Sequence, residues 1–248
     1  MSGHSKWKNI RERKGAQDAR KGKVFSKILK EITVAVKTGG IDVESNSRLR
    51  AAVTSARNIN MPKDNIDRAI KKASGDDSAN LQEVTYEGYG PGGVAIFVEC
   101  ATDNNTRTVG NIRSYFTKHG GSLGKDGCLQ FVFVQRGIFT LPVGKIIEDD
   151  FTMAMIDAGA EDVEFDQESG QITVSTLKEN FGAIQKKFEE LRLEPSDAGL
   201  QRISTDNKKI DMETFKSVMK LVEKIEDDDD VQKVYHNIEY SDEFSDEY

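Results

Sequence analysis

Residues 136 to 204 impose the tightest constraint on how this chain can fold. Period-two alternation over Gly137–Leu141 gives way to helical spacing over Lys145–Ala158, returns over Asp162–Phe165, turns at Glu168-Ser169-Gly170 and resumes over Gln171–Ser175. A second helical stretch, Leu177–Leu193, and a last strand near Leu200–Ser204 complete the order βαββαβ, the ferredoxin-like unit. That unit closes its own sheet, so the helical pattern over Met212–Ile225 and the strand pattern over Val231–Glu239 must pack elsewhere. Upstream, strand patterns at Glu83–Tyr89, Val94–Ala101 and Cys128–Val134, with a helix over Thr106–His119 stopped by Gly120-Gly121, make a sheet one strand short. The expected fold is therefore α+β: residues 81–135 and 206–248 close one discontinuous α/β domain around an inserted ferredoxin-like domain at 136–205. Pairing of Val231–Glu239 with the inserted sheet would contradict it.

Strand patterns are absent before residue 80. Residues 1–22 are polar and basic, with Trp7 and Ile10 as the large apolar groups, and are expected to form a mobile arm. From Gly22 to Thr38, Phe25, Ile28, Leu29, Ile32 and Val36 recur at helical spacing before Gly39-Gly40, while Arg20, Lys23, Lys27, Lys30 and Lys37 gather on the opposite side. A second helix, capped by Asn46 or Ser47, is expected to bury Leu49, Ala52, Val53 and Ala56. A third, with Pro62 in its first turn, is expected to bury Ile66, Ala69 and Ile70 and to end at Gly75. The three make a helical domain over 23–80.

Charge divides near the same boundary. The 248 residues carry 35 Lys+Arg and 42 Asp+Glu, a net charge of -7, yet residues 1–75 hold 18 basic and 7 acidic side chains. The remainder holds 17 basic and 35 acidic, so +11 is followed by -18, the pattern of a nucleic-acid-binding module joined to acidic domains. No apolar stretch approaches the ~20 residues of a membrane span. The opening MSGHSKWKNIRERK leads into no apolar run of the secretory kind. Cys100 and Cys128 lie in apolar runs and read as core residues of a reducing compartment. A cytoplasmic monomer without membrane contact is expected.

Several motifs resemble chemistry without its context. Gly88, Gly90 and Gly93 match G-x-G-x-x-G, but a strand follows where a dinucleotide site requires a helix N-terminus, so the run reads as a hairpin connection. GGSLGKD near Gly120 lacks the spacing of a phosphate loop and ends in Asp126 where the magnesium-binding Ser or Thr would stand. His4, His119 and His236 lack zinc-ligand spacing, and no G-x-S-x-G elbow occurs. No enzyme, metal or cofactor is expected. The acidic run Glu226–Asp230 follows a helix whose C-terminal dipole favours cations; it reads as a solvated loop, or as a holder of a basic partner or divalent cation, or as a repeller of phosphate.

The informative constellation is the arm. Lys6, Lys8, Arg11, Arg13, Lys14, Arg20, Lys21 and Lys23 face two acidic groups, Glu12 and Asp18, and Trp7 sits between two lysines. Neutralising phosphates releases condensed counterions, and an aromatic ring among cations can stack on an exposed base. His4 and Ser5 precede this cluster, with Ser5 and the amides near Gly3 as phosphate donors, and Lys27 and Lys30 extend it along the first helix. Membrane-surface binding is the competing use of a basic amphipathic helix, less suited here because the helix has a core to bury its apolar face in. No zinc finger, basic zipper, RRM or recognition helix is evident, so contact led by phosphates and shape is expected.

GHSKWKNIRERKGAQDARKGKVFSKILKEITVAVKTGG, NMPKDNIDRAIKKASG, YEGYGPGGVAIFVECATDNNTRT and DDVQKVYHN, in this order and spread over nearly the whole chain, resemble the YebC family. Ser47 stands where many members have proline after Asn, and LQRISTDNKKID lacks an expected proline. The resemblance implies a cytoplasmic bacterial protein of one helical and two α/β domains, with Gly3 to Lys8 in the element facing nucleic acid. It also implies either a DNA-binding transcriptional regulator or a translation factor that binds ribosomal RNA, associates with the ribosome and relieves stalling on proline-rich peptides. A non-enzymatic adaptor, its basic arm docking on acidic surfaces such as Asp227–Asp230, is the further alternative.

Overall fold

The computed structural model describes residues 21–75, 80–241 and 244. Three helices come first: α1 (Lys21–Gly39), α2 (Ser47–Asn58) and α3 (Lys63–Ala73). Asn46 is the residue that caps α2, its side chain accepting from Leu49 N at 3.0 Å while its amide donates to Ala35 O and Gly40 O. Next come β1 (Gln82–Tyr89), β2 (Ala95–Thr102), α4 (Asn105–Lys118), β3 (Ser122–Leu123) and β4 (Phe133–Pro142). The chain continues through α5 (Glu148–Asp157), β5 (Ala160–Asp166), β6 (Gln171–Leu177), α6 (Phe181–Glu190), β7 (Asp197–Ser204), α7 (Met212–Glu226) and β8 (Val231–His236).

The strands form two four-stranded sheets, ordered β3-β1-β2-β8 and β5-β6-β4-β7. β8 pairs antiparallel with β2, Val234 opposite Val98, so the late strand joins the first sheet and not the second. In the second sheet the unit's first strand lies between its third and fourth, which is the ferredoxin-like order. The fold is thus α+β, with a helical N-terminal region and two sheets.

By compactness the chain divides into two units. One holds α1 as far as Val34, the first sheet with α4, and the residues from Ile203 onward; the other holds the chain from Ala35 through α2 and α3, and residues 135–202. In the first unit β2 is covered on both faces. Val94, Ile96, Val98 and Cys100 meet Ile112 and Phe116 of α4 and Phe215, Val218 and Val222 of α7. Ala95 and Phe97 meet Leu129, Phe133 and Tyr235. Each Val, Leu, Ile or Phe side chain among these contributes about 1.5–3 kcal/mol on burial. In the second unit Phe139 stacks on Phe181 at 4.7 Å and packs against Phe188 at 5.3 Å. Its α2 is tied to the ferredoxin-like part by Arg50–Glu189 at 2.9 Å and by Gln185 donating to Ser47 O.

Several boundaries differ from expectation. The strand expected over Cys128–Val134 is a series of turns as far as Val132, and β4 starts at Phe133 and continues without a break through Gly137–Leu141. The cause is distant in sequence: buried Glu87 accepts from Gly127 N at 3.0 Å and Leu129 N at 2.5 Å, and Gly127 has φ +81°, so these amides cannot join a ladder. Cys128 is consequently exposed, against its expected place in the core, whereas Cys100 is buried. The edge strand β3 replaces the expected one. α5 begins at Glu148, later than Lys145, and a short 3-10 turn at Lys178–Asn180 precedes α6. The glycine run is a hairpin connection between β1 and β2, with Gly92 and Gly93 at positive φ.

Candidate nucleic-acid interface

Lys23, Lys27 and Lys30 recur at helical spacing on α1, which an apolar stripe that includes buried Ile32 fixes in orientation. Their ammonium groups are hydrogen-bonded to their own chain, in the place where the sequence expects phosphates. Lys23 Nζ donates to Asp227 O at 3.1 Å and Oδ1 at 3.0 Å, Lys27 Nζ to Glu226 O at 3.1 Å, and Lys30 Nζ to Asp229 O at 2.7 Å. These carbonyls belong to the last turn of α7 and the loop beyond it, where backbone acceptors lack intrahelical partners and the helix dipole is negative. Three cations from α1 supply what that helix end lacks, which accounts for an acidic run at a C-terminus. Burial lowers the pKa of Lys27, opposed by the neighbouring Glu226 carboxylate.

Asp230 is the centre of the loop. Its carboxylate, 8% exposed, accepts from Lys30 Nζ at 3.2 Å, Arg107 Nη2 at 2.7 Å, Thr102 Oγ1 at 3.1 Å and Thr108 Oγ1 at 2.9 Å. Burial pushes the Asp230 carboxyl up, but the bonds from Arg107, Thr108 and Lys30 outweigh it and hold the group below its ordinary range. Asp228 accepts from Asn111 Nδ2 at 3.1 Å and from the Tyr115 hydroxyl at 3.0 Å. Burial and the bond to Asp228 push the Tyr115 phenol up to about 12. The run is thus an ordered receptor for α1 and not a solvated loop. Thr102, Arg107 and Thr108 were not signalled by any motif; the signal available was the density of hydroxyl, amide and charged groups in ATDNNTRT.

Of the remaining expected contacts, Lys21 opens α1, its side chain outside the described residues. His4, Ser5, Lys6, Trp7, Lys8, Arg11, Arg13, Lys14 and Arg20 lie outside the described residues altogether. Exposed cations among the described N-terminal residues include Lys37, Arg57, Lys63, Arg68, Lys71 and Lys72. His119 Nδ1 lies 2.9 Å from Tyr115 O, and the buried His236 ring packs 5.9 Å from Tyr240. Among the described residues no group of three or more His, Cys, Asp or Glu could hold a metal ion, and no helix is long and apolar enough to cross a membrane.

Comparison with known proteins supplies the class. Residues 5–76 match the model of the TACO1/YebC protein N-terminal domain, and residues 81–238 match that of the TACO1/YebC second and third domain. The chain belongs to the TACO1/YebC family. A probable transcriptional regulatory protein of Amoebophilus asiaticus is 52% identical over 96% of this chain and 98% of its own. One from Idiomarina loihiensis is 46% identical over 98% and 97%. The crystal structure of a conserved hypothetical protein, Aq1575 from Aquifex aeolicus, superposes with a TM-score of 0.81 at 39% identity, covering 92% of this chain and 94% of that one. The curated relatives' names are regulatory, not enzymatic.

Proposed function

We propose that this protein is a non-enzymatic, nucleic-acid-binding regulator of gene expression, acting in the cytoplasm as a monomer and gripping its target through phosphates. The contact set is His4, Ser5, Lys6, Trp7, Lys8, Arg11, Arg13, Lys14, Arg20 and Lys21. Lys23, Lys27 and Lys30 join that set only if they leave Glu226–Asp230. The observation that carries the reading is the charge division: +11 over residues 1–75 and -18 from residue 76 on. The lysine face of α1 adds support, because it fastens the start of the helix, which the basic segment precedes in sequence, to an ordered loop. Relatives named as transcriptional regulators favour DNA as the polymer.

A second reading, a translation factor on ribosomal RNA, is favoured by one side chain: Phe131 is 83% exposed, a ring suited to an unpaired base. An adaptor docking on acidic surfaces would explain the lysines of α1, which already occupy such a surface, but gives the residues before Lys21 no partner. The test is fluorescence anisotropy with a labelled DNA duplex and a labelled RNA hairpin over a salt series. Binding should weaken with a log–log slope of roughly -0.9 per phosphate contacted on duplex DNA. Replacing Lys6, Lys8, Arg11 and Lys14 by Ala together should flatten that slope; an unchanged slope and affinity would remove the arm from the interface.

A further inference from the structure

The loop between β3 and β4 has side chains of opposite fates. Leu129 is 0% and Phe133 3% exposed, both packed on Phe97 and Tyr235 of the first sheet, while Phe131 between them is 83% exposed. Exposing a phenylalanine so fully forgoes about 1.5–3 kcal/mol that burial would contribute. Loose backbone is not the reason. Cys128 N donates to Lys125 O, Gln130 N to Gly127 O, and Val132 N to Leu129 O. Glu87 holds the amides of Gly127 and Leu129, and Thr205 clamps the far side, its N donating to Val132 O at 2.8 Å and its hydroxyl to Phe131 O at 2.8 Å. The ring therefore stands on a backbone fixed from both flanks, which lowers the entropy lost when something packs against it.

The surroundings select the partner. An apolar protein contact wants a contiguous patch of several hundred Å², whereas the loop's other exposed side chains are the polar Lys125, Asp126 and Gln130 and the small thiol of Cys128, and Thr205 is polar too. A lone ring with polar neighbours matches a ligand that is flat and apolar on its face and polar at its edge. A nucleobase has that form, and exposed Gln130, the residue before Phe131, carries an amide with both a donor and an acceptor.

We propose that Phe131 is a stacking platform for an unpaired base, in an RNA loop or in locally melted DNA, giving this protein a second nucleic-acid contact on the first sheet. The site rests on the nucleic-acid reading above and adds to it a single-strand preference that phosphate contacts alone do not supply.

The test uses the full chain and short single-stranded RNA and DNA of matched sequence carrying a fluorescent adenine analogue. Phe131→Ala and Phe131→Leu should each weaken binding about tenfold and abolish quenching of the analogue. Phe131→Trp should keep both, and none should change the log–log salt slope. Leu fills similar volume without a π-face, so loss in Phe131→Leu reports stacking and not shape. The polymer bound more tightly identifies the source of the base. Wild-type affinity and quenching in Phe131→Leu would overturn the site while leaving salt-dependent duplex binding, and so the proposed function, intact, and would assign the ring to a protein contact. Absence of binding by the unaltered protein to these single strands would also overturn the site, and only a further absence of salt-dependent binding to the duplex and the hairpin would overturn the function itself. The position is exposed, and an unchanged melting temperature confirms that each variant is folded.

Discussion

Asp230 shows how one carboxylate can decide what a whole stripe of lysines does. Four donors converge on it, from α1, from the end of β2 and from the first turn of α4. Removing it would leave Lys30 Nζ with only the carbonyls of Ala101 and Asp229, and would take the buried acceptor from Arg107, Thr102 and Thr108, so Asp230→Ala should cost about 3 kcal/mol in urea denaturation. Its folded pKa lies below the unfolded value, so the contribution is complete above about pH 4 and is lost as pH falls through the folded value. The stability difference between the natural protein and Asp230→Asn should accordingly be flat from neutral pH down to about 4 and shrink below it. A difference that instead shrank near pH 7 would point to a histidine, not to this carboxylate.

Elements were read from the sequence to different depths. The apolar stripes of α1, α4 and α7 and the alternation of β1, β2 and β6 were legible because periodicity reports which side of an element is buried. Periodicity does not report what faces the other side. The lysine stripe was legible, but its receptor lies 199 positions away for Lys27 and 204 for Lys23, and only folding brings them together. The candidate site was thus legible as a set of cations and not as a geometry. The loop before β4 failed for a related reason: Leu129, Phe131 and Phe133 alternate like a strand, but Glu87 removes the amides a strand would use. Two outcomes follow at this scale. Lys23, Lys27 and Lys30 changed together to Ala should lower the melting temperature yet leave the salt slope of nucleic-acid binding unchanged, the reverse of the arm variant. Gly127→Ala, forced to a φ of +81°, should lose about 1–2 kcal/mol of stability.

Over the whole chain, charge is divided along the sequence, +11 over residues 1–75 and -18 from 76 on, and the net charge of -7 conceals this. A basic N-terminal segment attracts a polyanion while the acidic remainder repels it. Affinity and stability should then separate under salt: a fourfold rise in ionic strength should weaken duplex binding roughly a hundredfold if about four phosphates are neutralised. The melting temperature should move little, because the pairing at Asp230 is shielded from solvent. Parallel loss of both would mean that the α1 contacts are surface pairs after all.

The interrupted first sheet also sets an order of events during synthesis. β2 cannot gain its second neighbour until β8 has been made, and the bond from Ala95 N to the Asn237 side chain spans 142 positions. The ferredoxin-like insert, whose strands are consecutive, can finish in the interval. Throughout it, the β8-facing edge of Ile96, Phe97 and Val98 stands open to other chains on the same message, a vulnerability written into the connectivity and not into any residue.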